Sequence, residues 1–251
     1  MALLEETADA VAVALAADLA ERPDRARDRG ERPGQYRIDL VADGAALAVL
    51  RSAGVGILSE ESGLEDPSNP MVVVVDPVDG STNASRGVPW YATSLCALDE
   101  GGPRASLVRN LATGVTYRAL RGGGATCDGR PIRPSGATKT SDSLLLLNGY
   151  APTHLGWRQY RSLGATALDL CSVADGSVDG TVDCTDSALG PWDYLGAMLV
   201  LGEAGGWIAD AHGRDLLELQ HTTRRTPVAA ATPELFEELL AARSRMQVHT
   251  W

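Results

Sequence analysis

The run Met71-Val-Val-Val-Val-Asp76-Pro-Val-Asp79-Gly80-Ser81-Thr82-Asn83 limits what this chain can fold into more than any other stretch. Four consecutive valines have no polar face, so they read as a buried strand. The strand is expected to stop where Asp76, Pro77, Asp79 and Gly80 begin. Ser81, Thr82 and Asn83 are residues that cap helices and leave backbone N–H groups free for an anion. Two hard oxygen ligands beside such a cradle suit a divalent cation that bridges protein to phosphate. Asp-Pro and Asp-Gly pairs also make ordinary turns, so the weight of this reading depends on the rest of the chain.

The 251 residues suffice for a sizeable core, as one large or two modest domains. Phe236 is the single Phe, so the core must be built mainly from Ala, Val and Leu. The apolar stretch 8–20 contains Asp9 and Asp18, is too short to span a bilayer and lacks a basic leader, so it reads as an amphipathic helix. The formal net charge of −11 argues against general nucleic-acid binding. It does not exclude a phosphate ester, because clustered carboxylates loaded with Mg²⁺ become locally positive. The four cysteines, at 96, 127, 171 and 184, form no Cys-x-x-Cys pair and the four histidines are scattered, so no zinc site is expected. Reduced core thiols in a cytoplasmic protein are the expectation.

Helices are expected at 3–20 and 39–50, with a polar loop over 21–37 between them. Gly56–Ser62 reads as a short strand ending in Glu60 and Glu61. Strands at 90–98, 105–110 and 114–120, separated by turn residues, read as an antiparallel meander. Near residue 135 the character changes. Strands are expected at 144–147, 178–184 (an edge strand), 207–209 and 227–231. Helices are expected at 165–174, at 192–204 before the stop Gly205-Gly206, and at 233–242. From order alone the fold is mixed α and β, an α+β class.

Three further segments carry acids: Ser59-Glu60-Glu61-Ser62, Pro191-Trp192-Asp193-Tyr194, and Glu203-Ala-Gly-Gly206. Together with Asp76–Asn83 they resemble, in order and spacing, the inositol monophosphatase family of Mg²⁺-dependent, lithium-sensitive phosphatases. Asp76–Asn83 looks like its first signature, and Trp192-Asp193 through Gly206 like its second. Glu60-Glu61-Ser62 resembles its upstream acidic element, and Arg161–Ala167 the segment before its specificity strand. The resemblance covers about residues 38 to 231.

It implies a layered α-β-α-β-α sandwich, with an N-terminal half at 1–135, a C-terminal half at 136–251 and the site between them. It also implies two or three Mg²⁺ ions. Glu60, Asp76 and the Val78 carbonyl would hold one, and Asp76, Asp79 and Asp193 a second; Glu60 and waters would hold a looser third. Gly80 and Ser81 N–H groups would take phosphate oxygens. Ser81, in contact with Asp43, would orient a water near Glu60, and no phosphoenzyme would form. Ala165, Thr166, Asp79 and Asp193 would meet the substrate, with Asp183 first and Asp186 second as the acid facing its hydroxyls. Three departures from the family pattern stand out: Ser81 where Thr is usual, Ile38–Ala42 ahead of Asp43, and Arg32-Pro-Gly34 in place of a mobile Lys-containing loop.

The implied activity is Mg²⁺-dependent hydrolysis of inositol 1-phosphate or a related cyclitol or sugar phosphate, by a cytoplasmic homodimer. The alternatives within the fold are fructose 1,6-bisphosphate, adenosine 3′,5′-bisphosphate and histidinol phosphate. A haloacid dehalogenase-type phosphatase is disfavoured, because its nucleophile needs Asp-x-Asp and here two residues separate the acids. A catalytically dead binding protein is disfavoured by the complete set Glu60, Asp76, Asp79 and Asp193.

Overall fold

A computed structural model describes residues 1–21, 26–30, 32 and 34–246. Helix α1 (Ala2–Glu21) buries Leu4, Ala8, Val11 and Leu15, the stripe a 3.6-residue period generates. Helix α2 (Arg37–Ser52) buries Ile38, Ala42, Ala46 and Leu50, and the same face carries two acids one turn apart, Asp39 and Asp43. Between the helices, Arg29 and Tyr36 form an antiparallel bridge. Residues 22–25, 31 and 33 of the expected polar loop lie outside the described residues.

Eight strands form the first sheet: β1 (Gly56–Ser59), β2 (Gly63–Glu65), β3 (Val72–Asp79), β4 (Ala92–Asp99), β5 (Gly102–Asn110), β6 (Thr116–Leu120), β7 (Gly124–Cys127) and β8 (Arg130–Pro131). Their order is β2-β1-β3-β4-β5-β6-β7-β8. From β3 to β8 the sheet is an antiparallel meander, of which β4–β6 were expected and β7 and β8 extend it; within this sheet only β1 and β3 pair in parallel. Short helix α3 (Ser81–Arg86) follows β3.

The second sheet contains β9 (Leu144–Asn148), β10 (Gln159–Arg161), β11 (Gly180–Asp183), β12 (Trp207–Asp210) and β13 (Pro227–Ala230), in the order β10-β9-β11-β13-β12. Helices α4 (Thr166–Ala174) and α5 (Pro191–Ala204) lie between the sheets, and α6 (Pro233–Ser244) covers the outer face of the second. The layers are therefore α1/α2, sheet, α4/α5, sheet, α6, an α-β-α-β-α sandwich. The valines of β3 show why: Val73 and Val75 enter the core under α1 and α2, while Val74 enters the core under α5. With both faces covered, strict alternation with polar residues is not needed.

Two expectations change. Strand β3 does not stop at the acids but runs through Asp79, buried at all eight positions. Its register against β4 shifts between Asp76 and Asp79, around Pro77. Proline has no N–H for the ladder, so the chain bulges there and re-aims the carboxylates while the strand continues. Strand β11, expected at an edge, is central, between β9 and β13 and fully buried. No helix among the described residues is long and apolar enough to cross a membrane.

Candidate metal centre

The bulge at the end of β3 places Asp76 and Asp79, and the first turn of α5 adds Asp193. One carboxylate oxygen from each of the three lies within 4.8 Å of the other two. Each acid is fixed from behind. Asp76 Oδ1 accepts from Val78 N–H at 3.0 Å. Asp79 Oδ2 accepts from Ala167 N–H at 2.7 Å, so the start of α4 is tied to the metal turn. Asp193 Oδ2 accepts from the N-cap Gly190 N–H at 2.6 Å. Glu60, in the turn after β1, lies close enough to Asp76 for their carboxyls to interact.

The electrostatics mark the site as one that fits a cation. Burial, then the charge of Asp193, pushes Glu60 up to about 8. Burial also raises Asp79 and Asp193 to about 8 each. Asp76 is raised well above the carboxylate range by burial and by Glu60, Asp79 and Asp193. Four acids this close cannot all ionise in a low dielectric without a compensating charge, and hard oxygen donors select Mg²⁺-like ions.

Behind the acids, Gly80 has φ of 85°, a left-handed conformation that glycine adopts freely. A Cβ there would lie 3.0 Å from Gly164 O and from Ala165 Cβ, and 3.1 Å from Trp90 O. Asn83 Nδ2 donates to Trp90 O (2.8 Å) and Leu163 O (2.7 Å). The signature Asp-Gly-Ser-Thr-Asn thus holds the metal turn against the loop leading into α4, where Ala165 and Thr166 sit at the helix start.

Two expected residues are placed differently. Asp43 does not meet Ser81: its Oδ1 accepts from Ser59 Oγ at 2.5 Å and its Oδ2 from Ser62 Oγ, so it braces the turn that carries Glu60 and Glu61. One turn earlier, Asp39 lines the same pocket as Ser81 and Glu60, and the Ser81 hydroxyl favours its ionised form. Asp39 Oδ2 accepts from Tyr36 N–H at 2.7 Å, while its buried Oδ1 has no hydrogen-bond partner among the described residues. Burial raises Asp39 to about 7.

Asp183, the first choice for the substrate hydroxyls, is 2% exposed. Its Oδ1 is taken by Thr185 N–H, Thr185 Oγ and Asn148 Nδ2. Asp186 is the accessible acid, its side chain 42% exposed and paired with His212 Nε2 at 2.5 Å. Glu203 of the second signature accepts from Gly122 and Gly124 N–H groups, which holds the β6–β7 turn.

The pocket of Glu60, Asp39 and Ser81 has a volume of about 270 Å³. It brings in residues that no local motif announces. Arg32 and Gln35 both donate to the Glu61 carboxylate. His221 Nε2 lies 2.9 Å from Glu60 O, with its ring against Trp192. Arg224 lies over the Trp192 ring, 5.0 Å from its centroid. The only sequence signal for the last two is a basic run, His221-Thr-Thr-Arg-Arg225, in an acidic chain.

A family model described as the Inositol monophosphatase family matches residues 5–248. An inositol-1-monophosphatase of Mesorhizobium japonicum is 33% identical over 209 residues, covering 74% of this chain and 76% of that protein. A fructose-1,6-bisphosphatase of Pyrococcus furiosus is 30% identical over 212 residues, covering 81% of each. Among solved structures, the extragenic suppressor protein suhB of Bartonella henselae superposes with a TM-score of 0.83 at 26% identity, over 98% of both chains. With the match extending across both sheets and all the acids of the centre, the chain belongs to the inositol monophosphatase family.

Proposed function

We propose that the protein is a Mg²⁺-dependent phosphoric monoester hydrolase acting on inositol 1-phosphate or a related cyclitol or sugar phosphate. The observation that carries this is the convergence of Asp76, Asp79 and Asp193 beside Gly80 and Ser81. Family membership and the two relatives named for inositol and fructose phosphates support the same chemistry.

Glu60, Asp76 and the Val78 carbonyl would hold one ion, and Asp76, Asp79 and Asp193 a second, within a total of two or three. Such ions, when bound, make an attacking water more acidic and neutralise charge on the leaving alkoxide. Ser81 and Gly80 offer N–H groups to the phosphate oxygens. The Ser81 hydroxyl orients the water, and Asp39, in place of Asp43, accepts its proton through Ser81. Asp186, in place of Asp183, meets the substrate hydroxyls beside Ala165 and Thr166. The site then lies between an N-terminal half, to about residue 135, and a C-terminal half. The reading includes a homodimer and a cytoplasmic location, the latter consistent with four free cysteines.

Phosphate release from inositol 1-phosphate, fructose 1,6-bisphosphate, adenosine 3′,5′-bisphosphate, histidinol phosphate and glycerol 2-phosphate, with and without Mg²⁺, tests it. Mg²⁺-dependent release fastest from inositol 1-phosphate is expected. Release that ignores Mg²⁺, or from none of the five, would overturn it.

A further inference from the structure

The β12–β13 loop, residues 211–226, is built to reach the metal centre. Buried Asp210 anchors its base, accepting from Arg214 Nε and Nη2 and from Thr226 N–H. Its far limb is tied to the entry of α5: Arg225 N donates to Leu189 O at 2.8 Å and Leu189 N to Arg225 O at 3.2 Å. Leu189 precedes Gly190, whose N–H binds Asp193. The backbone beside Arg224 is therefore held in register with a metal-site acid.

From this position the Arg224 side chain enters the pocket of Ser81, Glu60 and Asp39. Its guanidinium is oriented by the Trp192 ring, and Nη1 donates to His221 O and Thr223 O, each at 2.8 Å. Those bonds leave Nε and Nη2 uncommitted; among the described residues Arg224 makes no salt bridge, and its charge acts at longer range on Asp193, favouring that carboxylate's ionised form. Arg32, across the pocket, is already neutralised by Glu61. A guanidinium not spent on a salt bridge, stacked on Trp192 and aimed into the pocket, is arranged to receive an anion once the acids are neutralised by bound cations. The pocket contains Ser81 but none of the residues assigned to the polyol, so the anion it faces is the phosphate itself.

We propose that Arg224 is a substrate-binding residue whose guanidinium takes an oxygen of the scissile phosphate, on the side opposite the polyol. This rests on the phosphatase reading. The charge comes from a loop of the C-terminal half, while the N–H cradle comes from the N-terminal half, so the phosphate is gripped by both.

The test measures inorganic phosphate binding to the Mg²⁺-loaded protein by calorimetry, Mg²⁺ binding separately, and KM and kcat on inositol 1-phosphate. Arg224→Gln is expected to weaken phosphate binding and raise KM by about ten- to a hundredfold, the scale of one charge-assisted hydrogen bond. Its Mg²⁺ affinity should be unchanged or tighter, because a nearby cation has been removed. Arg224→Lys, which keeps the charge, should fall between. Wild-type phosphate affinity in Arg224→Gln would overturn the proposal. Equal loss of Mg²⁺ and phosphate binding in both variants would also overturn it, assigning Arg224 a purely structural role. If wild type binds phosphate through Arg224 but hydrolyses none of the esters, the phosphatase reading fails and the Arg224 site stands.

Discussion

Asp39 and Asp43 show how narrowly a role can be decided. Both lie on the buried face of α2, four residues apart, so periodicity alone assigns them the same environment. One helical turn separates a carboxylate in the Ser81 pocket from one spent on Ser59 and Ser62. Asp39→Asn should therefore lower kcat by about 10²- to 10⁴-fold with little effect on folding, as loss of a proton acceptor does. Asp43→Asn should instead lower stability by about 1–3 kcal/mol, the cost of an unsatisfied buried group, and be read in thermal unfolding. The reverse pattern would restore Asp43 to the water. Asp193→Asn removes a proposed ligand, so turnover should fall by at least about a hundredfold and the Mg²⁺ titration should shift to higher concentration.

At the level of elements, α5 positions Asp193 by how closely it lies on the first sheet. A Cβ on Gly196 would lie 2.6 Å from Ser94 Oγ and 3.3 Å from Leu95 O, so this helix touches β4 where only hydrogen fits. Gly196→Ala should push the helix outward and cost about 1–3 kcal/mol, as overpacking does, despite alanine's better helix propensity. Because Asp193 is one turn upstream, weaker Mg²⁺ binding should accompany the lower melting temperature; a variant with unaltered stability would show that the contact relaxes freely. Most of these elements were legible beforehand. The α5 helix between Pro191 and the Gly205 stop, and the β4–β6 meander, announce themselves through local punctuation. The central place of β11 was not legible. Its four residues look the same at an edge or in the middle, and only β9 and β13, 30 or more residues away, decide.

For the molecule as a whole, the acidic centre couples stability to pH and to metal. Glu60, Asp79 and Asp193 have folded values of about 8, against about 4 when unfolded. Between those limits the unfolded chain holds fewer protons than the metal-free native state, so stability falls as pH rises from about 4 to 8. Melting in EDTA should therefore occur at a lower temperature at pH 8 than at pH 5.5. Saturating Mg²⁺ should remove most of that difference, since a ligand bound only by the native state adds stability. A metal-free protein more stable at pH 8 would contradict the charge crowding described here.

Local order by itself determined the strand of valines, the acids at its end, the helix that begins with Pro191-Trp192-Asp193, and the chemistry that those acids imply. Each depends on neighbours within a few residues, where spacing dictates which side chains share a face. Tertiary structure alone decided that Asp39 and not Asp43 meets Ser81, that Asp183 is sealed into its turn while Asp186 is exposed, and that Arg224 enters the pocket. Those outcomes depend on packing between separate segments, from Asn148 against Asp183 to the long loop that brings Arg224 beside Ser81. Distance along the sequence carries no information about such contacts until the layers have closed around a common core.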